Sequence, residues 1–250
     1  MLTPCVHMPE VDSTNAEAMR RAAAGETGPL WIVAERQISG RGRSGRPWAS
    51  MPGNLFASLL VPLDAAAPLA PRLSLIAGVA LHDAIVALAG GACVPGLVLK
   101  WPNDVLVGGA KLAGILIDAT QISGKSLAVV GIGLNLVAAP ATIDRRATAF
   151  SEVAGRAPLR DEALAAIDAA FWRWFVNGFS DEGFAVVREA WLAASLPPGS
   201  EITINAHEGV MSGRFSGLDG DGALLLTDTK GFTRRYTYGD VTLASEQEMS

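Results

Sequence analysis

A chain of 250 residues, half of them apolar, can form one large core or a catalytic domain with a small appendage, and its composition excludes a disordered protein. The formal net charge of −5 argues against general attraction to nucleic acid or anionic membrane, so clustered basic residues need a local explanation. Cys5 and Cys93 lie far apart and outside any metal-ligand spacing, which fits reduced thiols in a cytoplasmic protein.

In chain order, the spacing predicts a helix over 13–24, with Thr14-Asn15-Ala16-Glu17 as a capping box and Gly25 as its stop. A buried strand over 30–34 leads into a Gly/Arg loop, and a second strand over 54–61 is ended by Pro62. The apolar stretch 73–89 contains His82 and Asp83 and falls short of the roughly 20 residues a membrane span needs, so 72–89 reads as a buried helix. Strands follow over 97–101, 104–107, 111–118 and 127–136. Gly108-Gly109 supplies the positive φ of a tight hairpin between the second and third of these. Helices are expected over 160–176, with Leu164, Ile167, Phe171, Trp174 and Phe175 as core, and over 181–194. Pro197-Pro198-Gly199 marks a boundary. Beyond it, short runs at 201–205, 213–218, 223–227 and 233–236 suggest a small β-barrel of roughly 50 residues. The class is α+β, a mixed β-sheet with flanking helices over 1–195 and an all-β tail over 196–250.

The loop Gly40-Arg41-Gly42-Arg43-Ser44-Gly45-Arg46 formally holds G-x-G-x-x-G. That dinucleotide fingerprint needs a helix opening directly after it, whereas Arg46-Pro47-Trp48 follows here. What remains is a pliant backbone bearing three arginines, whose guanidinium forks suit phosphate or carboxylate. The alternatives are a solvated basic loop and nucleic-acid contact, the latter opposed by the acidic net charge. Such a loop should move when empty and be ordered by an anion.

Lys100-Trp101-Pro102-Asn103-Asp104 gathers a cation, an amide and a carboxylate, although Asn-Asp after proline is also ordinary turn chemistry. Strand alternation puts Lys111, Ala113, Ile115 and Ile117 on one apolar face, so Lys111 either snorkels to the edge or meets an anion. Gly114, and the glycines of Gly131-Ile132-Gly133-Leu134-Asn135, weaken their strands unless something approaches closely. Gly124-Lys125-Ser126 imitates the end of a P-loop but has Ala119 at the first glycine position and a strand after it, so it is a hairpin turn. With no G-x-S-x-G, no H-E-x-x-H, and only His7, His82 and His207, a catalytic triad or histidine metal site is not expected.

Asp12-Ser13-Thr14-Asn15, the run from Glu35 through Gly40–Arg46 to Trp48, Lys100–Asp104, Lys111–Leu116 and Gly131–Asn135 together closely resemble the bacterial biotin–protein ligases. The five blocks stand in that family's order over residues 12–135. The resemblance implies a class II aminoacyl-tRNA synthetase-like catalytic domain with an SH3-like β-barrel. It also implies a two-step reaction: biotin and Mg-ATP give biotinyl-5′-AMP, and a lysine of the biotin carboxyl carrier protein of acetyl-CoA carboxylase then takes the biotinyl group. It assigns Ser13, Thr14, Asn15 and Gln37 to the ureido head of biotin, and Gly40, Arg41, Gly42 and Arg43 to the loop closing over biotin and adenylate. Lys111 would bridge the biotin carboxylate and α-phosphate, and Gly114, Gly131 and Gly133 would line the pocket. Arg43, Arg46, Trp48, Asn103, Lys111 and Asn135 fall to ATP, Asp104 to magnesium, and Lys111, Arg43 and Arg41 to catalysis. Some members carry a DNA-binding domain ahead of these motifs. With Ser13 so early, a ligase without that domain is expected, with no nucleic-acid or membrane partner and a homodimer left open. The rivals are a lipoate–protein ligase and a non-catalytic biotin-binding regulator.

Overall fold

Residues 2–63, 69–91, 93–122, 124–141, 146–206 and 209–243 are described by the computed structural model. His207 and the end of the expected tail, 244–250, lie outside them. Strands β1 (Cys5–Val11), β2 (Leu30–Gln37), β3 (Leu55–Leu63), β4 (Leu97–Lys100), β5 (Asp104–Val107), β6 (Ala110–Ile122) and β7 (Lys125–Leu134) form one sheet. Its order is β1-β2-β3-β7-β6-β5-β4. Only β1 and β2 pair in parallel. A parallel pair needs a crossover, and helix α1 (Thr14–Ala23) provides it.

Three expectations need correction. β1 was not foreseen: Pro9 and Glu10 interrupt its apolar alternation, which an edge strand tolerates. Pro62 does not end β3 but pairs opposite Leu127 within it. The capping box on α1 is absent, because Ser13 is the N-cap and no side chain caps the helix. Glu17 instead binds Arg20 and Arg21, at 2.9 Å each.

One side of the sheet is covered by α2 (Leu69–Leu88) and α4 (Arg160–Phe175), with α5 (Asp181–Ala193) packed on α2; the short α3 (Phe150–Ala154) follows β7. α2 has the length and apolarity to cross a membrane, yet two-thirds of its apolar window is buried here against sheet and helices. Ile167 and Phe171 are core as expected, whereas Leu164, Trp174 and Phe175 are only partly buried. Trp174 reaches outward to donate its indole N–H to Asp83 (2.8 Å).

The tail is a five-stranded antiparallel sheet of β8 (Glu201–Ala206), β9 (Gly209–Leu218), β10 (Leu224–Thr227), β11 (Thr233–Tyr236) and β12 (Asp240–Leu243). Its order is β11-β10-β9-β8-β12. Ile202, Phe215 and Leu224 join the same apolar cluster as Leu99 and Trp191 of the larger unit. The Trp101 indole donates to Gly222 O (3.1 Å), where a side chain would run into Leu75 and Phe184. The two sheets therefore share one core.

A buried carboxylate fastens the far side. Asp168 accepts from Thr3 N, Thr3 Oγ1, Trp31 Nε1 and Trp172 Nε1 at 2.6–3.1 Å. Asp168→Ala leaves a buried indole N–H of Trp31 without its acceptor and is expected to cost about 3 kcal/mol in urea unfolding. A loss below about 1 kcal/mol would contradict this reading of the network.

Candidate functional site

A cavity of about 420 Å³ opens on the sheet face opposite the helical layer, under the Gly/Arg loop. Its inner end is polar and uncharged. Ser13, Thr14 and Asn15 stand on the first turn of α1, and Gln37 closes β2. Gln37 Oε1 accepts from Thr14 N (2.8 Å) and Thr14 Oγ1 (3.1 Å). The Ser58 hydroxyl lies 2.7 Å from Thr14 Oγ1 and 2.6 Å from Asn15 Oδ1, while Asn15 Nδ2 donates to Asp118 (2.7 Å). The residues that fail to cap α1 are thus held in a hydrogen-bonding cluster whose cavity-lining members, Ser13, Thr14, Asn15 and Gln37, are neutral, suited to a neutral polar head group.

The strand glycines make this packing possible. A methyl group at Gly131 would collide with Asn15 Oδ1, and one at Gly133 with the Trp48 ring. Gly114, paired with Gly133 across β6 and β7, would meet both Trp48 and Lys111. The close approach inferred from these glycines is made first by the protein's own side chains. Trp48 lies flat on the glycine floor as one wall, its buried Nε1 without a hydrogen-bond partner.

Lys111 lines the same cavity. Simple alternation assigned it to the face of Ala113 and Ile115; the structure corrects this. Between β5 and β6 the register shifts, so that Val105 faces Ala113 but Leu106 faces Lys111, with Leu112 intervening. This β-bulge, a common device beside active sites, turns Lys111 toward the pocket. Its Nζ is 2.6 Å from buried Asp104 Oδ1 and 5.2 Å from the centre of the Trp48 ring.

Asn103, next to Asp104, donates to Ile115 O (2.6 Å) and offers its Oδ1 to Arg43 (3.4 Å). Asn135 also lines the cavity, but its amide donates to Lys111 O (3.4 Å) and Thr148 O (3.1 Å) and its oxygen accepts from Asn54 (3.2 Å). It thereby secures the segment at 146–148 that runs beside Lys111.

The loop folds back through a bridge between Arg41 and Pro47 and turns at Ser44, whose φ is +56°. Arg41, Gly42, Arg43 and Arg46 all line the cavity. Gly40 does not: it lies behind the wall, where a side chain would press on Trp48 O and Gln37 Nε2. The loop expected to await an anion has a packing partner in the second sheet. Arg43 donates to Gly239 O (3.2 Å), and Arg46 pairs with Asp240 (2.7 Å). Burial pushes the Arg43 guanidinium below its ordinary pKa, opposed by the attraction of Asp240 and Asp104.

Sequence reasoning missed Ser58, Asn54, Asp118, Arg146 and Asp240. Ser58, a lone hydroxyl in the apolar run of β3, carried a signal; Asp240 carried none.

Comparison with known proteins extends over both sheets. Residues 9–135 match the "Biotin/lipoate A/B protein ligase family", and residues 199–243 match the "Biotin protein ligase C terminal domain". A biotin--[acetyl-CoA-carboxylase] ligase of Paracoccus denitrificans is 39% identical over 228 residues, 88% of this chain and 92% of that one. A ligase of the same name from Mycobacterium tuberculosis is 34% identical, over 93% of this chain and 86% of that one. Among solved structures, the Aquifex aeolicus biotin protein ligase in complex with biotin and ATP superposes with a TM-score of 0.78 at 28% identity, covering 96% of this chain and 98% of that one.

Gly131→Ala is expected to destabilise the protein by about 2 kcal/mol by driving Asn15 off Ser58 and Asp118. Asn15→Ala in the same chain should restore most of that loss, as a double-mutant cycle in urea would read. Additive losses would refute the packing account of Gly131.

Proposed function

From the premise that the chain belongs to the biotin/lipoate A/B protein ligase family, we propose that it is an ATP-dependent biotin–protein ligase whose reaction runs through Lys111. The observation that carries this reading is that one cavity is lined by Lys111 together with a neutral cluster at Ser13–Asn15 and the arginine loop. A cyclic urea head suits the neutral end, where Ser13, Thr14, Asn15 and Gln37 offer donors and acceptors without charge. The valeryl chain would then run over the glycine floor at Gly114, Gly131 and Gly133, ending at Lys111.

The chemistry joins two anions. The biotin carboxylate attacks the α-phosphorus of ATP, the new O–P bond forms, the bond to the β-phosphate oxygen breaks, and pyrophosphate leaves. A lysine amine of the acceptor then attacks the acyl carbon and AMP departs. Bringing carboxylate and triphosphate together without cations is costly, so pre-positioned positive charge is the main contribution the protein can make. Lys111 would leave Asp104 to bridge carboxylate and α-phosphate. Arg41, Arg43 and Arg46 would meet the phosphates, Asn103 and Trp48 would border the nucleotide, and Asn135 would act from behind by holding Lys111's strand.

Asp104 is a buried carboxylate beside the proposed triphosphate site, which fits magnesium, an ion usually held by one or two carboxylates together with substrate phosphates. Once there it would neutralise charge on the triphosphate. By analogy with the names of its relatives, the acceptor is the biotin carboxyl carrier protein of acetyl-CoA carboxylase. The division into 1–195 and 196–250 is proposed as the catalytic unit and its covering domain.

ATP–pyrophosphate exchange measured with biotin and with lipoate tests the substrate, and exchange with lipoate alone would overturn the assignment. Lys111→Ala is expected to lower the adenylation rate about 100-fold in a folded protein. Near-normal turnover would remove Lys111 from its role. Arg43→Gly should release the adenylate about tenfold faster, read as biotinylation of bystander lysines; an unchanged off-rate would count against a clamp.

A further inference from the structure

Among the described residues of the second sheet, Asp240 at the start of β12 lines the cavity, and it and the two residues before it, Tyr238 and Gly239, each contact the arginine loop. Asp240 Oδ1 lies 2.7 Å from Arg46 Nη2 and 3.6 Å from Arg43 Nη1, so one carboxylate oxygen serves two guanidinium groups. Gly239 O accepts from both Nη atoms of Arg43 at 3.2 Å. Tyr238 lays its ring 5.5 Å from the Arg43 guanidinium and brings its hydroxyl to 3.3 Å from Ser44 Oγ. This segment is fixed by its own packing. Gly239 has a φ of +147°, and a side chain there would strike Ile204 and Asn205 O.

Arg43 and Arg46 repel each other, and without a nearby anion that repulsion would open the loop toward water. Asp240 faces into the cavity wall, so it supplies the missing charge before any substrate arrives. The neutral contacts from Gly239 and Tyr238 add a seat that a mere counter-ion would not need.

We propose that Asp240 is a positioning residue for the ligase reaction: through Arg43 and Arg46 it holds the arginine loop folded over the cavity, so that these guanidinium groups meet the phosphates already oriented. This rests on the proposed function only for the word phosphate; the latch itself is a property of the empty chain. The carboxylate works by charge and reach. Its neutral isostere should therefore fail where glutamate partly succeeds.

Two readouts on the full chain test it. Limited trypsin cleavage after Arg41 and Arg43 without substrates reads loop opening directly, since Pro47 blocks cutting after Arg46. Asp240→Asn should speed cutting there about tenfold at an unchanged melting temperature, and Asp240→Glu should return it most of the way. With biotin and Mg-ATP, Asp240→Asn should raise the KM for ATP and the adenylate off-rate by a similar factor, while kcat changes less than about threefold. If Asp240→Asn does not fold, Arg46→Gln breaks the same pair from the loop side and carries the same expectation for cutting at Arg41 and Arg43. Cutting within twofold of the parent would overturn the latch. A lower KM for ATP in Asp240→Asn would overturn it too, since Asp240 would then be competing with the nucleotide. A parent chain that forms no adenylate would sink the functional reading and leave the cutting result to decide the latch.

Discussion

Five cations, Arg41, Arg43, Arg46, Lys111 and Arg146, converge on the walls of one cavity among whose described lining residues only Asp104 and Asp240 are carboxylates, in a chain whose overall charge is −5. Like charges gathered around a low-dielectric cleft repel strongly, and much of the architecture can be understood as the means of holding them there. The bulge in β6 turns Lys111 onto Asp104. The second sheet brings Asp240 to the loop arginines. The surplus of positive charge that remains is what a carboxylate and a triphosphate together would neutralise.

The neutral end of the cavity depends on an equally local device. Cross-strand glycines flatten the floor of the central sheet so that Asn15 and Trp48 can lie against it. Asn15 is then fixed by Ser58 of β3 and Asp118 of β6, on either side of β7. Selectivity thus draws on α1, β2, β3, β6 and β7, and charge handling on β5, β6 and the arginine loop.

Much of this was legible in the chain. The helix at α1, the apolar α2, the Gly108-Gly109 hairpin and the short strands past Pro197 follow from periodicity and turn chemistry, and the motif blocks point to one cavity. What escaped did so for physical reasons. β1 is an edge strand whose polar residues face solvent, so it lacks a clean alternation. The side of the strand that Lys111 faces depends on one extra residue between two ladder pairs, which no period-two pattern reveals. The polar side chains at α1 resemble a capping box but are claimed by Gln37 and Ser58, residues 23 and 44 positions away from Thr14. The partnership of Arg46 with Asp240 spans 194 positions and is set by how the two sheets share a core.

The positive charge left in surplus at Lys111 and the arginine loop, after pairing with Asp104 and Asp240, is what recruits the substrate carboxylate. Calorimetric titration of the empty protein with biotin and with its neutral amide tests this most directly. The carboxylate form is expected to bind about tenfold more tightly or better, the scale of one charge-assisted hydrogen bond in a dry site. Equal affinities for acid and amide would contradict it.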